Sequence, residues 1–218
     1  MKRLLLGAAA AAVVASISAG AVLAGDPTKE QVALTAAGNA HAKPEVLRRK
    51  DVGPGWSGGS RKPDLTGLHC SYKPKQSDLV IVGAAETTWH RQGFEIDSEA
   101  QVLRTPKMVR LDWQRTVVAP QVLACLRESF EKQLGSSGKL VSLRRVAVPQ
   151  LATFARAFRI TIDVKTSGGS IPVESDFVLL GQARNEISLS VLGPSAAKAL
   201  LRKAELRLAR VLVGRMRS

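Results

Sequence analysis

The chain has 218 residues and a net charge of +14, from 32 Lys and Arg against 18 Asp and Glu. That length suits a single domain, with or without a tail. With 5 Phe, 3 Trp and 1 Tyr, an aromatic core is excluded, and Leu, Val, Ile and Ala must fill the interior.

The opening MKRLLLGAAAAAVVASISAGAVLAGDP has the layout of a secretory leader. Lys2 and Arg3 supply the charge, an apolar run extends to Ala24, and Val22-Leu23-Ala24 forms a cleavage site. Residues 1–24 are expected to be a signal peptide cut after Ala24. The apolar run is longer than usual, so retention as an N-terminal membrane anchor is the alternative. Asp26 follows Leu23-Ala24-Gly25 where a lipoprotein would need Cys, so no lipid anchor is expected. Cleavage would remove two basic residues and leave a mature charge of +12. Such a surface attracts polyanions. Export makes anionic envelope polymers and lipid headgroups the expected neighbours and argues against nucleic acid.

Residues 25–44 read as an N-terminal segment with a weak helix over TKEQVALTAAGNA, capped by Thr28. Residues 45–218 read as one α+β domain. From Gly53 to Ser77, five glycines and three prolines exclude a long helix or a central strand. A loop this long needs a tether. Cys70 offers one, with Trp56 and Tyr72 as apolar anchors or as the lining of a groove beside the sheet. LVIVGAAETTW, 79–89, reads as a strand in which Gly83 marks a bulge or a close backbone approach. QVLR, 101–104, reads as a second, short strand. Glu86 in the first strand and Glu95, Asp97 and Glu99 after it read as a solvated charged edge, with an acid–base pair among them as the lesser alternative.

Thr105-Pro106 starts a helix, and Pro120 kinks or divides it. The second part, QVLACLRESFEKQL, carries Cys125 on its inward stripe and stops at Gly135. An antiparallel meander follows. Phe158, Ile160, Ile162 and Val164 share a face, as do Ile171, Val173, Ser175, Phe177 and Leu179, then Ile187, Leu189 and Val191. TSGGS, 166–170, is a hairpin turn. A C-terminal helix begins at Pro194-Ser195. Leu200, Leu201, Ala204, Leu208, Val211 and Leu212 form its apolar stripe, set to cover one dry face of the sheet. Lys203, Arg207, Arg210 and Arg217 form a cationic ridge on its other side.

Cys70 and Cys125 make an even count in an exported chain, which reads as a disulfide. It would close about 56 residues and stabilise by roughly 4 kcal/mol. His69, His41 and His90 give no zinc spacing with either cysteine, so no metal is expected.

Residues 55–59, GWSGG, match the G-x-S-x-G of a nucleophile elbow. That elbow needs a strand before the serine and a helix after it. Gly53-Pro54 and Ser60-Arg61-Lys62-Pro63 offer neither, and the strongest strands form an antiparallel meander. The partners would be His69 or His90 with Asp64, Asp78 or Glu86, crowded into mostly loop. The glycines are expected to serve the backbone. No P-loop, H-E-x-x-H or dinucleotide fingerprint is present, and no cofactor is expected.

DVGPGW at 51–56, CSYKPKQSDLV at 70–80, the Gly-Ala strand, VLRT at 102–105, Trp113 and Cys125 together resemble a group of secreted actinobacterial proteins of unassigned activity. That group resembles the PsbP-like fold and, more loosely, the extracellular sensor domains of mycobacterial serine/threonine kinases. The resemblance covers about residues 45–217. It implies an antiparallel sheet flanked by helices, a cleft for a ligand, and no known enzymatic residues. The sensor domains carry two disulfides where this chain has cysteines for one, and no kinase domain accompanies it. The expected function is a secreted, monomeric, non-catalytic module binding an apolar ligand or an envelope component. The alternatives are electrostatic adhesion through the C-terminal ridge and a serine hydrolase using Ser57.

Overall fold

The computed structural model describes residues 27–216. The expected leader and Arg217 lie outside them. The strands are β1 (Gln31–Val32), β2 (Ser57–Arg61), β3 (Val80–Arg91), β4 (Phe94–Leu103), β5 (Gly138–Val146), β6 (Phe154–Thr166), β7 (Gly169–Gln182) and β8 (Asn185–Pro194). They form one sheet in the order β1-β3-β4-β8-β7-β6-β5, and β2 pairs along the same edge of β3 as β1. Every pairing is antiparallel except β1 with β3. The helices are α1 (Ala36–Ala42), α2 (Arg49–Val52), α3 (Pro106–Asp112), α4 (Val122–Leu134) and α5 (Lys198–Met216).

The fold is α+β, as the meander predicts, but it has two dry faces rather than one. Strand side chains alternate between faces, and both sets here are apolar. On one face Val178, Leu180, Ile187 and Leu189 pack against Leu201, Leu208 and Leu212 of α5. On the other, Phe158, Ile160, Ile162 and Phe177 pack against Val122, Leu126 and Phe130 of α4. Each buried Leu, Ile or Phe is worth about 1.5–3 kcal/mol. The result is a three-layer arrangement with the sheet in the middle.

Several local expectations are corrected. The first helix starts at Ala36, with the Thr35 hydroxyl accepting from the Gly38 N–H as its cap, not at Thr28. The segment ahead of it is strand β1, so 31–42 belong to the sheet layer system and do not simply precede it. QVLR is the end of a strand that begins at Phe94. Residues 57–61 are strand β2, although glycine-rich. The run Glu86 to Glu99 is no solvated edge. Strand β4 lies between β3 and β8, and Glu86, Glu95 and Glu99 are buried. On α5, Leu200 is exposed while Glu205 is fully buried.

Glu205 belongs to a polar network beneath α5. Arg159 Nε and Nη2 each lie 2.7 Å from Asp176 oxygens, and Arg202 Nη1 lies 3.2 Å from Glu205 Oε2. Buried carboxylates require such pairing.

Candidate functional site

The chain from 62 to 78 crosses the α4 face of the sheet and is stitched down along its length. The Ser71 N–H and hydroxyl both donate to Glu128 Oε2 of α4, at 2.7 and 2.8 Å. The His69 N–H donates to Ser129 Oγ. Tyr72 donates its phenolic O–H to the Arg115 carbonyl at 3.0 Å. Arg115 makes two hydrogen bonds to Asp78, at 2.6 and 3.0 Å. The Cys70–Cys125 disulfide, with Cα atoms 5.0 Å apart, ties the middle of the segment to α4.

Between α3 and α4 the chain takes one wide π-helical turn, Trp113–Val117, closed by the Val118 N–H to the Trp113 carbonyl at 3.0 Å. Such turns insert a residue and re-aim side chains. Here Trp113, Thr116 and Val117 all face inward, and Trp113 stacks on Phe154 with ring centroids 5.3 Å apart.

The loop, the π turn and the sheet enclose a two-part cleft. The outer chamber, about 480 Å³, lies between the loop and the helix pair and is lined by Tyr72, Pro74 and Gln76 among others. The inner chamber, about 120 Å³, is bounded by Trp113, Val117, Leu126, Phe158, Phe177 and Leu179. The two share Leu68, Asp112, Thr116 and Val122.

Carboxyl groups gather where the chambers meet. Asp112 lines both, Glu30 the outer, and Glu99 and Glu186 the inner. Burial pushes Glu30 and Glu186 well above the usual carboxylate range, and the nearby Asp112 adds to it. Burial also raises Asp112, against the hydrogen bonds it accepts from Gln76, Glu186 and Thr116. Glu186 thus holds a proton and donates it to Asp112.

Of the residues expected at a site, Tyr72 lines the outer chamber. Trp56 does not line either chamber. It packs against the core under α5, on the other side of the sheet, because it precedes β2 at the opposite phase to Ser57. Cys70 and Cys125 are bonded, and Cys70 and Cys125 form part of the outer wall. Lys203, Arg207 and Arg210 are exposed on α5, although Arg207 donates to the Asp51 carbonyl at 2.7 Å.

Ser57 stands opposite His90 across β2 and β3, and His90 stands opposite Glu95 across β3 and β4. The Ser57 hydroxyl donates to the His90 main-chain carbonyl at 3.3 Å. His90 Nδ1 lies 3.0 Å from Glu95 Oε2. Burial and the neighbouring Asp97 push Glu95 up to about 8. The expected acids for such a row were Asp64, Asp78 or Glu86. None of them takes the place. Glu86 pairs with Arg61 at 2.6 Å and accepts from the Asp64 N–H at 3.0 Å, and Asp78 pairs with Arg115.

Sequence reasoning passed over Glu30, Gln76, Asp112 and Glu186. Asp112 was within reach. It follows Val109 and precedes Thr116 at inward helical spacing, and an acid on that stripe is a signal. Glu186 has the phase opposite to Ile187, so it reads as solvent-facing until a second covered face is known.

No family model matches the chain, and no curated protein matches it. Solved structures match in part. An uncharacterized protein from Mycobacterium smegmatis, the ortholog of Rv0999, is 14% identical, with 79% of this chain and 98% of that one covered at a TM-score of 0.41. LpqN of Mycobacterium tuberculosis, involved in cell envelope biogenesis, is 12% identical, with 72% and 83% covered at a TM-score of 0.32. Likeness at this level says nothing of what this chain binds. Neither of the two is described as PsbP-like or as a kinase sensor domain.

Proposed function

We propose that this chain is an exported, non-catalytic binding module whose ligand enters the cleft between the disulfide-tethered loop and the α3–α4 pair. The carrying observation is the inner chamber, an apolar hollow beside α4 that adjoins the outer chamber along Leu68, Asp112, Thr116 and Val122. Ligand sites are concave, mostly apolar and supplied with a few fixed polar groups. This cleft has that composition, and its walls are cross-linked in place. The single disulfide fits an oxidising compartment. Among the described residues no helix is long and apolar enough to cross a membrane.

Thermal-shift titration of the mature protein with short lipids and envelope fragments tests this. A stabilising ligand lost on replacing Val117 or Leu126 by Trp, which would fill the hollow, supports the reading. Stabilisation that the filled variants retain would place the ligand elsewhere.

A second reading is adhesion to anionic envelope polymers. It is favoured by the exposure of Lys203, Arg207 and Arg210 on the outer side of α5. The two readings use opposite sides of the sheet and exclude neither each other nor a monomer.

A further inference from the structure

Around Asp112, where the chambers meet, three buried oxygens have no hydrogen-bond partner among the described residues: Glu30 Oε2 and Gln76 Oε1 from the outer chamber's lining and Glu186 Oε1 from the inner's. Glu30 is 4% exposed and Gln76 8%. A buried acceptor without a donor is destabilising. Gln76 cannot relieve its own by turning over. Its Nε2 donates to Asp112 Oδ1 at 2.9 Å, and a flip would set oxygen against a carboxylate. Asp112 itself is occupied, accepting also from Thr116 Oγ1 at 3.1 Å. Once its acids ionise, the junction is rich in acceptors and short of donors.

We propose that this junction binds a primary ammonium group carried on a hydrocarbon body, the N–H groups going to Glu30, Gln76 and Glu186 and the chain entering the apolar inner chamber. This rests on the cleft being a ligand site and names the class of ligand it takes. An alkylammonium offers three donors from one atom, spread tetrahedrally, and three separate acceptors await them. A guanidinium is planar and suits a two-pronged carboxylate. A trimethylammonium has no N–H at all. A metal ion fits less well, because among the described residues no group of three or more His, Cys, Asp or Glu is arranged to hold one. The apolar walls would also leave a metal's remaining ligands undefined.

The charges facing the junction are mixed. Glu30, Glu99, Asp112 and Glu186 converge on it. Glu99 accepts from Gln101 Nε2 at 2.8 Å. On the basic side, Arg115 is held by Asp78, and Lys29, Lys73 and His69 stand on the outer wall, where Tyr72 is the other titratable group. Without a cation the buried acids keep protons, since ionising them together in an apolar setting is costly. An arriving ammonium takes the place of those protons. Binding therefore releases protons, and affinity rises with pH until the amine itself loses its charge near ~10.

The test is calorimetric titration of the mature protein with n-hexylamine, n-hexyltrimethylammonium and n-hexanol, at pH 6 and pH 8 and in buffers of different ionisation enthalpy. The proposal expects hexylamine to bind at least about tenfold more tightly than the other two. It expects that advantage to grow from pH 6 to pH 8, with net proton release. Glu30→Gln and Glu186→Gln, isosteres of the protonated acids, should each abolish most of the advantage, weakening hexylamine far more than hexanol. Equal binding of hexanol and hexylamine, with no proton release, overturns the ammonium assignment while the cleft stays a ligand site. Absence of binding by all three overturns both. If either variant fails to fold, the pH dependence and proton count of the unaltered protein decide.

Discussion

Gly38 of α1 lies directly on Gly83 of β3. A methyl group at Gly38 would come within 1.9 Å of the Val82 carbonyl oxygen, and one at Gly83 within 2.1 Å of the Gly38 oxygen. Both clashes are with backbone, which cannot yield as a side chain can. The β3–β4 register also shifts between Ile81 and Gly83, so β3 bulges where the helix presses on it. Thr35 and Asn39 fasten the contact, Asn39 Oδ1 accepting from the Ala84 N–H at 3.1 Å.

Gly38→Ala and Gly83→Ala should therefore each destabilise by about 2–4 kcal/mol, well beyond what alanine costs elsewhere. Gly168→Ala, where nothing stands within 4 Å and no positive φ is needed, is the control and should change stability little. Urea denaturation of the three variants measures this. A mild effect at Gly38 would mean that α1 can lift off the sheet.

The role of Gly83 was legible from sequence because a glycine inside an apolar strand has few other uses. The meander strands were legible for a similar reason: alternation in 158–164 and 187–191 has one structural meaning. The acids of β4 were not. Glu95, Asp97 and Glu99 alternate with Ile96, Ser98 and Ala100, the pattern of a half-exposed strand. Their side is covered by the crossing loop 62–78 and, at Glu99, by the π turn, and such paths leave no period in a sequence. The cleft shares that fate. Its walls come from segments as far apart as Glu30 and Glu186, joined by contacts that local patterning does not encode. Cys70 and Cys125 are the exception, because a disulfide announces one long-range contact in advance.

The disulfide supports that crossing loop, so its removal has two effects. Replacing both cysteines by serine frees a loop of about 56 residues in the unfolded chain and should cost about 2–4 kcal/mol. For a domain this size the melting temperature should fall by roughly 10 °C. Loosening should concentrate in 66–76. Hydrogen exchange of the oxidised and Cys70→Ser/Cys125→Ser proteins would show it there, with the meander protected in both. Uniform loss of protection would mean that the bond holds the whole fold and not the cleft wall.

Asp176 and Glu205 respond to pH in opposite directions. Burial pushes Asp176 up, but hydrogen bonds from Arg159 and Glu205 outweigh it and hold the carboxyl below its ordinary value. Its contribution is present above the ordinary aspartate value and is lost as pH falls. Burial, then Asp176, pushes Glu205 up to about 8. Folding thus favours protonated Glu205, and the stability from that preference is whole below pH ~4.5 and lost as pH rises to ~8. Glu205→Gln keeps an N–H donor for Asp176 and has no proton to lose. Between pH 5 and pH 8 the unaltered protein should lose more stability than the variant, by on the order of 1–2 kcal/mol. Parallel decline of the two would show that Glu205 ionises in place without cost.

Adhesion through α5 makes a prediction about salt. Exposed charges attract polyanions through a field that decays over about 8–10 Å at physiological ionic strength. Binding of the mature protein to anionic vesicles or teichoic-type polymer should weaken steeply between 50 and 300 mM NaCl. Lys203→Glu with Arg210→Glu should weaken it further while leaving cleft ligands unaffected. Arg207 is the poorer choice, since it also bonds to the Asp51 carbonyl. Adhesion that ignores salt would have to be apolar and would not involve this ridge.

The row Ser57–His90–Glu95 decides between binding module and hydrolase. A nucleophilic serine needs a histidine that can accept its proton, with an ionised acid behind the ring. Burial and the neighbouring Asp97 push Glu95 up to about 8, so at neutral pH no ionised acid stands behind the His90 ring. The Ser57 hydroxyl meanwhile donates to a main-chain carbonyl. The un-ionised acid and the direction of the serine hydroxyl both oppose attack. The mature protein should therefore resist labelling by a fluorophosphonate probe at pH 7, and Ser57→Ala should alter neither stability by more than about 0.5 kcal/mol nor cleft binding. Labelling that Ser57→Ala removes, and that rises between pH 7 and pH 9 as Glu95 ionises, would reverse the assignment and make the row a latent acyl-transfer site.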